Sequence, residues 1–529
     1  MTQQDKIIFA IIGILVFLVF VLILRDVYAF GVDDSFIFYR YGENLSNGHG
    51  IVFNVGEPPG EGFTSWVWLL LLAFSRCIGV DIILASKVLG IFFHLAGGVF
   101  IFWLVMKLIG VENESLAKIS ALILSGSFLL NYRLIAHSVS GMETSLYVFS
   151  IIVLIFLTTL ALQALPTDKR WWLFISLAAA GAFLVRPEGI AAGGISLLAL
   201  ALHQRHNLLK PKTWLYVFIG LVLPLSLFIA WKTMVFGYPL PHSYYHKLIV
   251  ITEEYEESLR QMLLFFKSYW WLMVLAVITM IYMYPSLESK IILPYYYPAL
   301  FLAMVAVYLL FYPAMNYLHR FYIPYLPLLL VMIAPGIYML VRKTLFKKVG
   351  IRALIIFLIL AVLVMGMNFQ MKTPRFKIKN WSKLVNPYTG GSRAKLGVLM
   401  SRLPSDVVVA NTEMGVIPFY SGLACIDMAG LTDPYTAHRG VSMDYLQQRK
   451  VELVMFPRDV KTMAKKDWNH YTHPYGRVFL ASAFTENFEF VGWYANYYLY
   501  ADKRSSRFNA IETWGKKYLK PRPLKSKAR

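Results

Sequence analysis

Cysteine is nearly absent: the 529 residues carry only Cys77 and Cys425, one in an apolar stretch and one in a polar tail. That excludes a disulfide framework and leaves the redox compartment open. Charge is scarce too, at 15% of residues against 58% hydrophobic and 16% aromatic, and the mean hydropathy of +0.56 excludes an ordinary soluble domain. Acid is scarcer than base, 30 Asp or Glu against 51 Lys or Arg, for a net charge of +21. Internal repeats, nucleic-acid motifs and a nucleotide-sugar signature are all missing. Without such a motif, the basic excess points to anionic lipid headgroups or lipid phosphates rather than nucleic acid.

What is present is membrane-length apolar sequence. Ile7 to Leu24 carries no charge and is long enough to cross a bilayer. Val27-Tyr28-Ala29 faintly resembles a signal-peptidase site, but the many later spans favour an uncleaved first helix. Hydropathy places about eleven spans, near 7–25, 83–107, 118–135, 143–163, 171–186, 189–203, 213–236, 264–284, 290–311, 321–341 and 350–369. The apolar run from Ser65 to Val80 is short and broken by Arg76, so it is expected to lie in the interface. The positive-inside rule agrees: with this run flat and the N-terminus cytoplasmic, the basic loops 168–170, 203–212 and 341–348 all fall inside. The segments 26–82, 136–142, 186–189, 237–263 and 312–320 then share the outer side with the tail.

The spans occupy residues 1–370. After Gln370 the composition turns to Lys, Asn, Thr and Pro, and 371–529 holds 26 Lys or Arg against 12 Asp or Glu. Helical spacing in "SRAKLGVLMSRL" and the β-branched runs "DVVVA" and "VELVMF" predict a soluble α/β domain. Its basic end, "KPRPLKSKAR", is expected to be disordered.

Polar chemistry gathers on the outer side. In "FGVDDSFIFYRYGENLSNGHG", Asp34 or Ser35 can cap a helix running to about Leu45, with Phe36, Phe38, Tyr39 and Tyr41 as interfacial anchors. Asp33 and Asp34 serve that cap, or one acts as general base on a sugar hydroxyl, helped by partial desolvation. The glycines of "NGHGIVFNVGEPPGEG" have neither P-loop nor Rossmann spacing and read as a turn-rich loop. "NYRLIAHSVSGMETSLY" sets Arg133, His137 and Glu143 at helix ends, Glu143 either as a cap or in sugar binding. "VRPEG" places Arg186 and Glu188 in one turn, as a structural ion pair or a functional one. "FGYPLPHSYYHK" offers His242, Tyr245, His246 and Lys247 as donors to a lipid-linked phosphate, and "NYLHRFYIPYLP" adds His319 and Arg320. No ligand spacing among the histidines marks a metal site, and neither a metal nor another cofactor is expected.

Taken in order, "DDSFIFYRYGENLSNGHGIVFN", "SGMETSL", "RPEG", "YPLPHSYYHK", "RFYIPYLP" and "NTEMGVIPFYSG…IDMAGLTD" resemble the GT-C glycosyltransferases, most closely the mycobacterial terminal arabinofuranosyltransferase branch. The match runs from about Gly31 to His438. The resemblance implies a polytopic α-helical enzyme with juxtamembrane helices in its first outer loop and a soluble α/β domain. Such an enzyme moves a sugar from a polyprenyl-phosphate donor to a cell-envelope glycan, lipid-linked glycan or glycoprotein at the outer face of the bacterial cytoplasmic membrane.

By that resemblance Asp33 is the base and Asp34 its catalytic partner. Glu143 helps position sugar and acceptor, and Arg186, His242, Lys247 and Arg320 face the departing phosphate. Arg133, Glu188, Tyr245 and His319 complete the expected binding set. Where relatives carry a Gly-Gly-Asp-like stretch this chain has "YPAMNYLHRF", so the acidic residue's duty is either lost here or performed by Asn316, which loosens the inference of sugar identity. In the tail, Glu413, Asp427 and Asp433 bind acceptor or cap helices. Alternatives are another polyprenyl-phosphate pentose or hexose as donor, a lipid or sugar transporter, or a structural assembly protein. Against a transporter, charges sit at helix ends and no inverted repeat appears.

Overall fold

The computed structural model describes residues 3–109, 114–242, 254–282, 292–310, 316–344, 349–368, 372–385, 391–457, 482–494 and 496–521. Over the described residues, each predicted span is occupied mainly by helix. Among the described residues, seven helices are long and apolar enough to cross a membrane, or eight counting one bent pair. The chain is thus a multi-pass membrane protein. Helix α1 (Gln3–Val27) leads into α2 (Ser35–Ser46) and α3 (Trp66–Cys77), followed by α4 (Ile82–Ile109). Next come α5 (Glu114–Leu129), α6 (Tyr132–Ser138), α7 (Thr144–Gln163), α8 (Arg170–Val185) and α9 (Gly189–His203). Then follow α10 (Pro211–Val217), a π-turn, α11 (Leu223–Phe236), α12 (Glu254–Tyr282) and α13 (Leu293–Leu310). The bundle ends with α14 (Leu326–Met332), α15 (Ala334–Arg342) and α16 (Val349–Met367). Three of the expected spans, α8, α9 and α13, are apolar but short.

Side-chain size sets the packing. Along α1, Ile8, Ile12, Val16 and Phe20 are buried at four-residue spacing while Ile7, Ile11, Phe17, Leu18 and Leu22 are exposed, the pattern of a helix with one protein face and one lipid face. Gly90 of α4 lies so close to α6 that a β-carbon there would sit 2.1 Å from the Ser138 carbonyl. The expected span 118–135 is not one rod: α5 and α6 meet at 62°. The break leaves backbone groups that lipid cannot satisfy, and Asn368 at the end of α16 takes them, accepting from the Tyr132 amide at 2.9 Å and donating to the Leu130 carbonyl at 3.0 Å.

Polar contacts separate the two ends of the bundle. At one end Asp5 pairs with Arg352 at 2.7 Å, and Gln204 and Asn207 donate to the Asp168 and Pro166 carbonyls. At the other end, helix α3 lies across the bundle rather than through it. Trp66 packs on Phe236 at the end of α11, Trp68 donates to the Gly141 carbonyl at 3.0 Å, and Arg76 pairs with Glu43 of α2 at 3.8 Å. The flat reading of 65–80 therefore matches the structure.

Beyond α17 (Lys372–Val385) stands a domain with a five-stranded mixed sheet of order β2-β1-β3-β5-β4. Its strands are β1 (Val408–Asn411), β2 (Ala424–Asp427), β3 (Leu453–Phe456), β4 (Phe488–Tyr494) and β5 (Tyr497–Asp502). Val409 pairs with both Cys425 and Leu453 in parallel, and Leu453 pairs with Ala501 antiparallel. Helix α18 (Ser392–Met400) precedes the sheet and α19 (Val416–Ser421) follows β1. The strand readings at "DVVVA" and "VELVMF" became β1 and β3. Of the basic tail end, 522–529 lies outside the described residues.

The loop between α1 and α3, with α2 in it, is clamped between bundle and sheet domain. Arg40 of α2 donates to the carbonyls of Phe53, Pro418 and Leu423 at 2.7, 2.6 and 2.9 Å. Asn54 exchanges two 3.0 Å hydrogen bonds with the backbone of Cys425. On the bundle side, the buried Lys87 ammonium donates to the Tyr28, Phe30 and Val139 carbonyls at 2.9, 2.8 and 2.7 Å. Replacing Lys87 with Met leaves those buried acceptors without their donor, so K87M should lose about 2–4 kcal/mol of stability, seen as a lower thermal midpoint in detergent.

Candidate active site at the end of the bundle

Asp33 is 2% exposed, and its partners come from the sheet domain. Its Oδ1 is 3.0 Å from Nη1 of Arg393 on α18, and Oδ2 accepts the Gly415 amide at 3.1 Å. The Val416 amide reaches Oδ1 at 3.4 Å. Only glycine fits at 415, where a β-carbon would sit 2.3 Å from Oδ2. The same Arg393 Nη1 holds Oε2 of Glu413 at 2.9 Å. Burial first, then the charge of Asp33, pushes the Glu413 carboxyl up to about 7, with Arg393 opposing. Asp34 occupies the N-cap position of α2, yet its side chain makes no cap hydrogen bond. Its charge acts instead on Glu413, Tyr317 and Arg320.

That link leads to a second layer. Glu143, fully buried, receives Arg320 at 2.8 Å and lies 3.8 Å from Arg186. Arg186 pairs with Glu188 at 3.1 Å, so the two ionisable residues of the "VRPEG" turn do meet, and Arg186 also faces Glu143. Glu143 stands at the N-cap of α7 without a side-chain cap bond. Arg133 donates to the Tyr269 hydroxyl at 3.1 Å. Buried N–H groups remain without a hydrogen-bond partner on all three arginines, at Nε of Arg133, Arg186 and Arg320 and at Nη1 of Arg186. Three guanidinium groups against two carboxylates, with donors unspent, form an environment suited to an oxyanion.

The loop that presents Arg320 is strained. Leu318 and His319 both take positive φ, 53° and 61°, a left-handed conformation costing non-glycine residues about 1–3 kcal/mol each. Asn316 accepts the Phe321 amide at 3.1 Å and closes the turn. His319 contacts Ser268 at 3.2 Å.

His242 belongs to a separate cluster. Its amide donates to the Glu61 carbonyl at 3.4 Å, and its ring meets those of Tyr238 and His438. Beside it, Glu61 pairs with Lys232 at 2.8 Å and accepts from the Trp66 indole at 2.8 Å. Burial, with His438 and Lys232 adding to it, pulls the His242 ring down to about 4, so at neutral pH it is uncharged. Tyr245, His246 and Lys247 lie outside the described residues. In the sheet domain, Asp427 is consumed by a backbone turn, accepting four amides from Ala429 to Thr432. Asp433 caps the helix Pro434–Arg439. Of the three tail acids, Glu413 alone reaches the Asp33 cluster.

This architecture has solved counterparts. ArnT from Cupriavidus metallidurans bound to undecaprenyl phosphate superposes with a TM-score of 0.61 at 11% identity, over 94% of this chain and 98% of that one. Its apo form gives 0.59 at 11% identity, over 93% and 97%. The Archaeoglobus fulgidus oligosaccharyltransferase, tethered by a disulfide to an acceptor peptide containing the NVT sequon, gives 0.52 at 10% identity, over 92% and 74%. The chain has the GT-C fold. Within it, residues 386–507 match the model of a domain of unknown function (DUF8728). No curated protein matches the chain in sequence.

Composition could not have singled out Arg393, which lies 360 positions from Asp33 in an unremarkable helix. Lys87 and Lys232 did carry a signal, since an ionisable residue inside an apolar run needs a partner.

The Glu413 carboxyl gives a testable pH dependence. Its proton is held more tightly in the folded state, so its contribution to stability is complete below the unfolded value near 4.5 and is lost as pH rises through about 7. Thermal unfolding between pH 4.5 and 8 should show this decline in the wild type and a flatter profile in E413Q.

Proposed function

We propose that this GT-C protein is a membrane glycosyltransferase that moves a sugar from a polyprenyl-phosphate donor to a cell-envelope glycan, lipid-linked glycan or glycoprotein. The observation that carries the reading is the pairing, at one end of the bundle, of a carboxylate cluster with arginines whose buried N–H groups are unspent. The bound undecaprenyl phosphate of ArnT supports the donor class. The tethered peptide of the oligosaccharyltransferase supports an acceptor meeting the donor on the same fold.

In the proposed reaction Asp33, with Asp34 beside it, takes the proton of an acceptor hydroxyl as that oxygen bonds to the sugar's anomeric carbon. The bond from this carbon to phosphate breaks, and polyprenyl phosphate leaves with the electron pair. Arg186 and Arg320, held by Glu143 and Glu188, stabilise the departing phosphate, a role for fixed donors in a site that excludes water. Arg133 and His319 stand on the same side as these groups, and His242, Tyr245 and Lys247 are proposed, on the motif resemblance alone, as further donors to lipid phosphate and sugar. These steps use side chains alone, and no cofactor is assigned. The basic loops at the opposite end of the bundle support a cytoplasmic-membrane protein with this site and the sheet domain facing the periplasm or cell exterior. Arabinofuranose is the proposed sugar, on the motif resemblance.

Transfer is best followed with the full chain in nanodiscs, using radiolabelled polyprenyl-phosphoryl arabinofuranose, a hexose analogue and a glycan acceptor. D33N should lower the rate about 10²-fold or more, and R320Q should weaken use of the donor. Transfer undiminished in D33N would remove Asp33 from the chemistry. Turnover of the hexose donor alone would replace arabinose and keep the reaction class.

A further inference from the structure

We infer that the active site is assembled across the two domains, with Arg393 of the sheet domain as the positioning residue that holds Asp33 ready to accept a proton. This rests on the transferase reading above. One nitrogen, Nη1 of Arg393, bridges Asp33 at 3.0 Å and Glu413 at 2.9 Å, so the two carboxylates compete for a single cation. The Gly415 and Val416 amides fix the other side of the Asp33 carboxylate, leaving it one geometry. Arg393 itself sits over the Tyr497 ring, 5.7 Å from its centroid, and its side chain is 14% exposed.

The groups facing Asp33 are therefore Arg393 from α18, Glu413 and the two amides around α19, Tyr497 from β5, and Asp34 on its own loop. The Arg393 cation is divided between two carboxylates, so removing either neighbour changes what the Asp33 carboxylate faces. The Glu413 charge sets that division, so the sheet domain both orients the base and tunes it. No atom of Arg393 needs to touch substrate for this role.

The two neighbours act in opposite directions on one observable, the acidic limb of the pH–kcat profile, which reports deprotonation of the base. Removing the cation in R393Q should shift that limb to higher pH, lower kcat about tenfold or more and leave the donor KM nearly unchanged. Removing the competing carboxylate in E413Q should shift the limb to lower pH. R393K, which keeps the charge, should recover part of the R393Q loss. If R393Q fails to fold, E413Q and R393K still decide the matter. Wild-type transfer with the limb unmoved in E413Q, or moved in the same direction by E413Q and R393Q, would overturn the inference alone. Wild-type protein inactive on every polyprenyl-phosphate sugar would overturn the functional reading and this inference with it.

Discussion

A carboxylate that is 2% exposed cannot rely on water for its charge, and Asp33 meets that constraint with groups from the other end of the chain. Burying an ion costs several kcal/mol unless a partner and hydrogen bonds replace its hydration. The loop after α1 and helix α2 are therefore complete only with the sheet domain in place. Arg40 and Asn54 bind that domain from the loop side, while Lys87 fastens the same loop to the bundle below. Remove the ion pair with Arg393 and the loop retains its clamps but loses the reason for its register at Asp33.

The same economy of close contacts shapes the surrounding backbone. Gly415 is needed because the Asp33 carboxylate occupies the space of a β-carbon. Gly141 combines a φ of +87° with a β-carbon site 2.2 Å from the Tyr39 hydroxyl, so the loop between α6 and α7 can pass over α2 only with glycine there. The consecutive left-handed residues Leu318 and His319 lack that freedom. Their strain is held by Asn316 and delivers Arg320 to Glu143, which is where backbone strain is usually maintained, next to groups whose placement matters.

Much of the fold was legible because bilayer thickness and apolar composition leave few choices. The eleven helical segments, the interfacial position of α3 and the strands β1 and β3 follow from run length, charge in loops and β-branched content. The bend between α5 and α6 was not legible, since Asn131 reads locally as an ordinary cap and the compensating Asn368 lies far along the chain. Strands β2, β4 and β5 were missed for a related reason: "LACID" is short, and the aromatic run around Tyr497 carries no alternation against a known partner.

In the candidate site, the grouping of Glu143, Arg186, Glu188 and Arg320 was readable as charged residues stranded at helix ends. His242 was read as a neighbour of that group and instead lies beside Glu61 and Lys232. That error has a physical cause. Loop sequence shows which residues share an end of the bundle, but only packing decides which of them meet across it. Arg393 shows the limit most clearly. Nothing near it in sequence distinguishes it from the other cations of a basic tail, and its meaning comes wholly from what it faces. A well-packed apolar contact could join two domains at no lower stability than a buried ion pair. Two carboxylates sharing one guanidinium, Asp33 and Glu413 on Arg393, are therefore poorly explained by adhesion between the domains alone.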